Sequence, residues 1–431
     1  MTHRLLMGDI APDSFTGAII AVEGILDAAV LLNGPTGCKF YHGAIAETQL
    51  PRTGIMDPLQ YAEEFYFGQP RVPATYLDGD DYIFGASEKL AGILPRVAGK
   101  GHRLIAVLNS PGAALIGDDL ERFIAGASLS APCLAIEHTG FSGTFSQGFQ
   151  ETVIRVLDRV AAPMARRRRT VNLIGTSVMH RHWQGSLDTL TELLSLCGIG
   201  VNSVLCAGCR VADLENVGAA EANLMLHPEW ADQLSLYLGQ RFSQPEVSPL
   251  SGAPIGFQAT EQWLREVCTA LATDPTPALG RLRASRQQAH QALSRFNTLT
   301  GLPRGATFAL KADGSLALPL TRWLHEYLGM GPVAVQIGEG LPEQRRQLER
   351  FLGEIDCAAA WSARPGPLTP DLVFGGEGYI GEYRALGRPV AGIDIALPAR
   401  GTVEILPRSL LGHSGALWLL ERILNRLLTG D

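Results

Sequence analysis

The sequence predicts an α/β protein of three Rossmann-like domains, each a doubly wound parallel sheet. Two observations carry this. Short apolar runs ending in glycine or polar residues alternate with longer stretches of helical periodicity, the pattern of βαβ units. The alternation recurs three times along 431 residues, more chain than one core usually organises. The 48 glycines fall mostly at the ends of apolar runs, where strand-to-helix turns need them.

Strands are expected at Ala28–Asn33, His102–Asn109 and Pro132–Glu137 in a first domain, residues 1–165, with helices Asp118–Ala127 and Gly148–Val160. The second domain, 166–280, follows an arginine run, with strands at Thr170–Gly175, Gly200–Leu205 and Ala222–Leu226. Between them lie an amphipathic helix, Ser186–Cys197, and a helical turn at Val211–Asn216. A helical stretch from Ala259 to about Thr298 leads into the third domain, 281–431. Its expected strands are Thr307–Lys311, Val333–Ile337, Leu372–Phe374 and Pro389–Ile393, and helix Ser414–Leu428 closes it.

Composition narrows the functions. The formal net charge is −7 and the pI about 5.8, so no basic field gathers nucleic acid or anionic lipid. The run Arg166–Arg169 reads as a solvated linker. No stretch approaches the ~20 apolar residues of a membrane span, and Asp9 interrupts the N-terminus before a signal-peptide core forms. Seven scattered cysteines do not make a secreted disulfide framework. The expectation is a soluble, cytoplasmic protein with neither nucleic acid nor membrane as partner.

In open α/β sheets the chemistry gathers in loops at the carboxyl ends of strands. The first such loop is Gly34-Pro35-Thr36-Gly37-Cys38, in which two glycines and a proline force a tight turn around a thiol. A thiolate there binds a soft metal; a free cysteine is also commonly a small buried hydrophobe. A second constellation follows the middle strands: His180 and His182, then Cys206-Ala207-Gly208-Cys209, then His227. Neighbouring strands would aim these into one cleft, with ligands suited to zinc, iron or nickel. Cys206 and Cys209 also have the spacing of a redox dithiol, and the two histidines after the first middle strand could equally be solvated loop residues.

Five segments, in order, resemble the nitrogenase component 1 family, which includes subunits of the protochlorophyllide and chlorophyllide reductases. They are Gly34-Pro35-Thr36-Gly37-Cys38, Asp80-Asp81-Tyr82-Ile83-Phe84-Gly85, Leu115-Ile116-Gly117-Asp118-Asp119-Leu120, Glu137-His138-Thr139-Gly140-Phe141-Ser142-Gly143, and Pro254-Ile255-Gly256-Phe257-Gln258-Ala259-Thr260-Glu261. Each is weak alone; their order is what makes them specific. Asp118 and Asp119 themselves read as helix N-terminal acids.

The resemblance implies that Cys38, with Gly34, Pro35 and Gly37 shaping its turn, ligates an iron–sulfur cluster at a subunit interface. The family pattern has three cysteines per subunit, but Pro111 falls where a second would sit and none precedes Cys38. A [4Fe–4S] cluster takes four protein ligands. The resemblance therefore implies a paralogous, cysteine-richer component 1 subunit that completes the set, or a second copy of this chain aided by non-cysteine ligands. An ATP-dependent iron protein is implied as electron donor, since this chain has no G-x-x-x-x-G-K-[S/T] loop, and a small-molecule substrate is expected in the interdomain cleft. His227 stands where the family's cofactor-bearing subunit has a cysteine, which argues against dinitrogen as substrate.

Two other functions fit the same residues: a non-catalytic scaffold for metallocluster assembly, and a metal-free Rossmann-like binding protein. Tyr41 and His42 could tune or shield a cluster by hydrogen bonding, or equally pack against the turn. His413 reads first as a residue of the last helix's start, and the six tryptophans as core or interface.

Overall fold

The computed structural model describes residues 12–38, 72–117, 119–127, 129, 131–137, 143–366, 369–387, 390–397 and 406–429. Tyr41, His42, Asp118 and His138 lie outside them, as does Pro389. Eleven described strands form three sheets, all with parallel neighbours.

The first sheet has the order β1 (Ala28–Asn33), β2 (Leu104–Asn109), β3 (Cys133–Ile136). All three strands are buried along their length, as expected when helices cover both faces of a parallel sheet. Helices Ser14–Glu23 and Phe145–Val160 cover one face, and Ser87–Ala98 and Leu120–Gly126 the other. The first two cross at glycines: a Cβ on Gly17 would sit 2.1 Å from Phe145 O, and one on Gly148 would sit 1.9 Å from Ser14 O. Helix Phe145–Val160 starts three residues earlier than its apolar spacing suggests, because Thr144 and Gln147 form a capping box.

The second sheet runs β5 (Gly200–Val204), β4 (Arg167–Ile174), β6 (Ala220–Met225), β7 (Glu246–Val247). The third runs β11 (Ala391–Asp394), β10 (Leu372–Gly375), β8 (Thr307–Ala312), β9 (Gly331–Ile337). The fold is thus the α/β, three-sheet arrangement that the sequence predicts. Three details differ. The arginine run is not wholly linker, since Arg167–Arg169 begin β4. The stretch from Ala259 is two helices, Gly256–Ala270 and Thr276–Thr300, broken where Asp274-Pro275 intervene and Ala272 takes φ 51°. The last helix, Gly412–Thr429, packs on helices Trp183–Leu196, Gly256–Ala270 and Thr276–Thr300 as well as on β11, tying the second sheet's helices to the third sheet.

The first and third units also meet. The Ser146 N–H, at the start of helix Phe145–Val160, donates to both carboxylate oxygens of Glu339 at 3.3 Å, where an anion is favoured by the helix dipole. No helix among the described residues is long and apolar enough to cross a membrane.

Candidate functional site

Two places collect the residues that the sequence singles out. The first is the carboxyl end of β1. Asn33 donates from Nδ2 to Asn109 Oδ1 at 2.8 Å and accepts from Thr75 Oγ1 at 2.9 Å. Thr75 Oγ1 also accepts from the Gly34 N–H, and the Gly34 carbonyl from the Leu77 N–H, each at 3.1 Å. Segment 73–77 therefore locks the turn from one side.

Ser110 locks it from the other. A Cβ on Gly34 would lie 2.8 Å from both Cβ and Oγ of Ser110, so only glycine lets the two loops approach this closely. Thr36, Gly37 and Cys38 are helical, and the Cys38 thiol is half-buried. Burial pushes this thiol up, a hydrogen bond with Ser110 draws it partly down, and the Asp13 carboxylate adds to the rise. A thiolate here needs a cation to sustain it.

Tyr82 stands near Cys38, close enough for a Cys38 thiolate to push its hydroxyl up. Tyr82 reaches over Gly112, its hydroxyl 3.1 Å from where a Cβ would stand. Beside it Ile83 is 73% and Phe84 82% exposed, and Leu115, at the end of the Ser110 loop, is 88% exposed. Lys89 pins this segment by donating to Tyr76 O at 3.1 Å and pairing with Asp78 at 2.9 Å. Large exposed apolar side chains grouped this way mark a contact surface. Among the described residues no three His, Cys, Asp or Glu side chains group to hold a metal. The half-buried thiol of Cys38 suits an iron–sulfur cluster as a single ligand.

The second place lies among the carboxyl ends of β4, β6, β8 and β11. The cleft is lined by Thr176, His180, Arg181, His227 and Asp313 among apolar side chains such as Trp183, Leu226 and Leu316. The rings of His180 and His227 stack at 4.3 Å and 23°, and Trp230 meets His180 edge-on at 5.1 Å. His180 Nδ1 accepts from the Ser177 N–H at 2.9 Å, so the neutral ring carries its proton on Nε2. That Nε2 and Thr176 Oγ1 are buried with no hydrogen-bond partner among the described residues. Burial holds both histidines neutral, His180 well below its usual range and His227 at about 3. Arg181 pairs with Asp394 of β11 at 3.5 Å.

Behind His227 is a network that sequence reading missed. His227 Nδ1 is 2.7 Å from Ser315 Oγ, and Ser315 Oγ is 2.7 Å from Glu229 Oε1. The Ser315 N–H donates to the same oxygen at 3.1 Å, and Gln344 Nε2 to Glu229 Oε2 at 2.8 Å. Asp313 accepts from Trp230 Nε1 at 3.2 Å and from the Glu339 N–H at 3.0 Å. Its carboxyl is nevertheless pushed up to about 8, by burial first and then by Glu229 and Glu339; the N–H donors offset this only in part. The signal available was Asp313 and Ser315 at the end of an apolar strand run, but their partners His227, Glu229 and Trp230 lie more than eighty positions away.

The structure brings some of the predicted middle-unit residues together and separates others. His180 and His227 share the cleft. Cys206 and Cys209 are buried and hydrogen-bonded to each other, with the Leu26 N–H donating to Cys209 O at 2.7 Å against the start of β1. They form no group with His227. Burial and that pairing push the Cys206 thiol up. His182 is buried against Trp418 at 4.5 Å. His413, second residue of the last helix, is buried with Nε2 3.8 Å from Glu192. The histidines are therefore core and cleft groups rather than solvated loop residues.

Comparison with known proteins agrees with this architecture. The family model described as nitrogenase component 1 type oxidoreductase matches residues 14–428. A light-independent protochlorophyllide reductase subunit from Rhodopseudomonas palustris (strain TIE-1) is 26% identical over 339 residues, covering 74% of this chain and 60% of the relative. Its counterpart from Synechococcus sp. (strain RCC307) is 28% identical over 346 residues, covering 74% and 62%. The match thus spans about three-fifths of these relatives. A solved nitrogenase structure, nitrogenase Cp1 at pH 6.5, superposes with a TM-score of 0.75 at 18% identity over 97% of this chain and 93% of its own, a likeness of fold. The chain belongs to the nitrogenase component 1 type oxidoreductase family.

Proposed function

We propose that the chain is a catalytic-component subunit of a two-component, nitrogenase-like reductase. Low-potential electrons come from an ATP-dependent iron protein and reach a small unsaturated molecule in the cleft between the second and third sheets. The observation that carries this reading is the half-buried Cys38 in its locked turn, with Tyr82 close enough to feel the charge of its thiolate. A [4Fe–4S] cluster bound there, with its other ligands from a cysteine-richer paralogous subunit, supplies the one-electron relay. This chain's own part is to fix one thiolate, through Gly34, Ser110 and Thr75. The relatives named as protochlorophyllide reductase subunits support the reductase class; the substrate itself is unassigned. Free cysteines throughout the described chain suit the reducing cytoplasm.

The cleft has room for only about 20 Å³, roughly one water. A substrate larger than a water therefore requires this cleft to widen.

The single interface cysteine equally favours an assembly scaffold of the same family as a second reading. An anaerobic assay with the iron protein and paralogous subunit separates the two. Many reductive turnovers per complex support the reductase. Stoichiometric transfer of a cluster without turnover supports the scaffold, and an iron-free complex leaves a metal-free binding protein.

A further inference from the structure

The group His227, Ser315 and Glu229 separates two clefts. On one side is the cleft between the second and third sheets, lined by His227 and Asp313. On the other is a cavity of about 140 Å³ lined by Ser315, Gln344, Glu343 and Pro228, large enough for several waters. The three side chains are 3%, 1% and 4% exposed, and they join end to end at 2.7 Å and 2.7 Å. Burying a histidine, a hydroxyl and a carboxyl together costs free energy that apolar packing would not.

We propose that Glu229, Ser315 and His227 are a proton path through this wall, carrying protons from the outer cavity to the molecule in the inner cleft. The inference rests on the reductase reading, because a molecule that takes up electrons also takes up protons.

The step balances within the three groups. At the start Glu229 is a carboxylic acid, its O–H donates to Ser315 Oγ, the Ser315 O–H donates to His227 Nδ1, and His227 carries a proton on Nε2. The Nε2 proton passes to the substrate as the substrate accepts an electron from the reductase chain. The Ser315 proton moves to Nδ1, and the Glu229 proton moves to Ser315 Oγ. The end state is a Glu229 carboxylate accepting from Ser315 O–H, which accepts from His227 Nδ1–H. That end state is compatible with the observed chain of contacts. No ring becomes charged, which suits a His227 that burial keeps neutral. Gln344 lines the outer cavity and covers Glu229 Oε2; when its amide swings away, water from the cavity reloads Glu229, and the imidazole turns so that its N–H again faces the cleft and its bare nitrogen faces Ser315.

Burial makes Glu229 easier to protonate than an exposed glutamate, against the hydrogen bonds from Ser315 and Gln344. The ionisable groups nearby are Asp313 from the third unit, His227 from its own loop, and Glu343 across the outer cavity, which is paired with Arg346. None of the three is a cation.

The test begins with the full-length chain labelled with ¹⁵N-histidine, observed by long-range ¹⁵N NMR at one neutral pH. The path predicts that His227 exchanges between Nδ1–H and Nε2–H forms while remaining neutral, and that Glu229→Gln leaves only Nδ1–H. A single fixed tautomer in the unaltered protein, or both tautomers persisting in Glu229→Gln, overturns the proposal. In the complete reductase complex, Glu229→Gln and Ser315→Ala should each slow product formation roughly 100-fold, the scale of one general acid, with electron delivery to the complex unchanged. Unchanged product formation in both variants also overturns it. A complex that turns nothing over removes the reductase reading, and the tautomer exchange alone then decides the path.

Discussion

Gly34 and Ser110 stand so close that a single methyl group on Gly34 would lie 2.8 Å from the serine Cβ and Oγ. This approach sets where Cys38 sits, because the β1 turn and the β2 loop cannot separate without losing the Ser110 N–H bond to Asn33 O at 2.8 Å.

Gly34→Ala should therefore act on both fold and site. Overpacking of this kind costs about 1–3 kcal/mol. Urea unfolding should show that loss, and the complex purified with its partner should retain less iron. An alanine variant of unchanged stability would mean that the turn is slack.

The hydroxyl of Ser110 makes Cys38 more acidic than its burial alone would allow. Ser110→Ala should slow alkylation of Cys38 by iodoacetamide at neutral pH, since the thiolate is the nucleophile. It should also cost about 1 kcal/mol, because the Ala113 N–H loses its bond to Ser110 Oγ at 3.2 Å. Mass spectrometry of the labelled cysteine reads the first effect directly.

Asp313 gives the protein a dependence on alkaline pH. Its folded carboxyl is raised to about 8 from 3.8, so the native state holds a proton that the unfolded chain has released. The stabilisation is complete below the unfolded value and is lost as pH rises through the folded one. His180 and His227 act in the opposite direction and below about pH 6.5. Between about pH 6.5 and pH 8.5 the urea midpoint should fall in the unaltered protein and fall less in Asp313→Asn. Parallel slopes would contradict burial of a protonated Asp313 as the cause.

The sequence made some of this plain and hid the rest for physical reasons. β1 lies at Ala28–Asn33 as its apolar run indicates, because a strand covered on both faces is apolar throughout. The two-residue β7 has no period to detect, and helix Gly314–Arg322 hides behind its opening glycine and internal Pro319. The thiol of Cys38 and the imidazoles of His180 and His227 stand out as residue types. Their settings do not, because Ser110, Ser315, Glu229 and Asp313 acquire meaning only through contacts across the three sheets. The C-x-x-C pair shows the converse: a spacing that suggests a ligand set is folded against the start of β1 as a pair.

Cys38 as a cluster ligand is tested best by electron paramagnetic resonance, with iron and acid-labile sulfide analysis, on the anaerobically purified and reduced complex of this chain with its paralogous partner. The unaltered complex should give a cluster signal, and Cys38→Ala should lose it while its circular dichroism stays unchanged. An equal signal and equal iron in Cys38→Ala would show that the thiol holds no cluster.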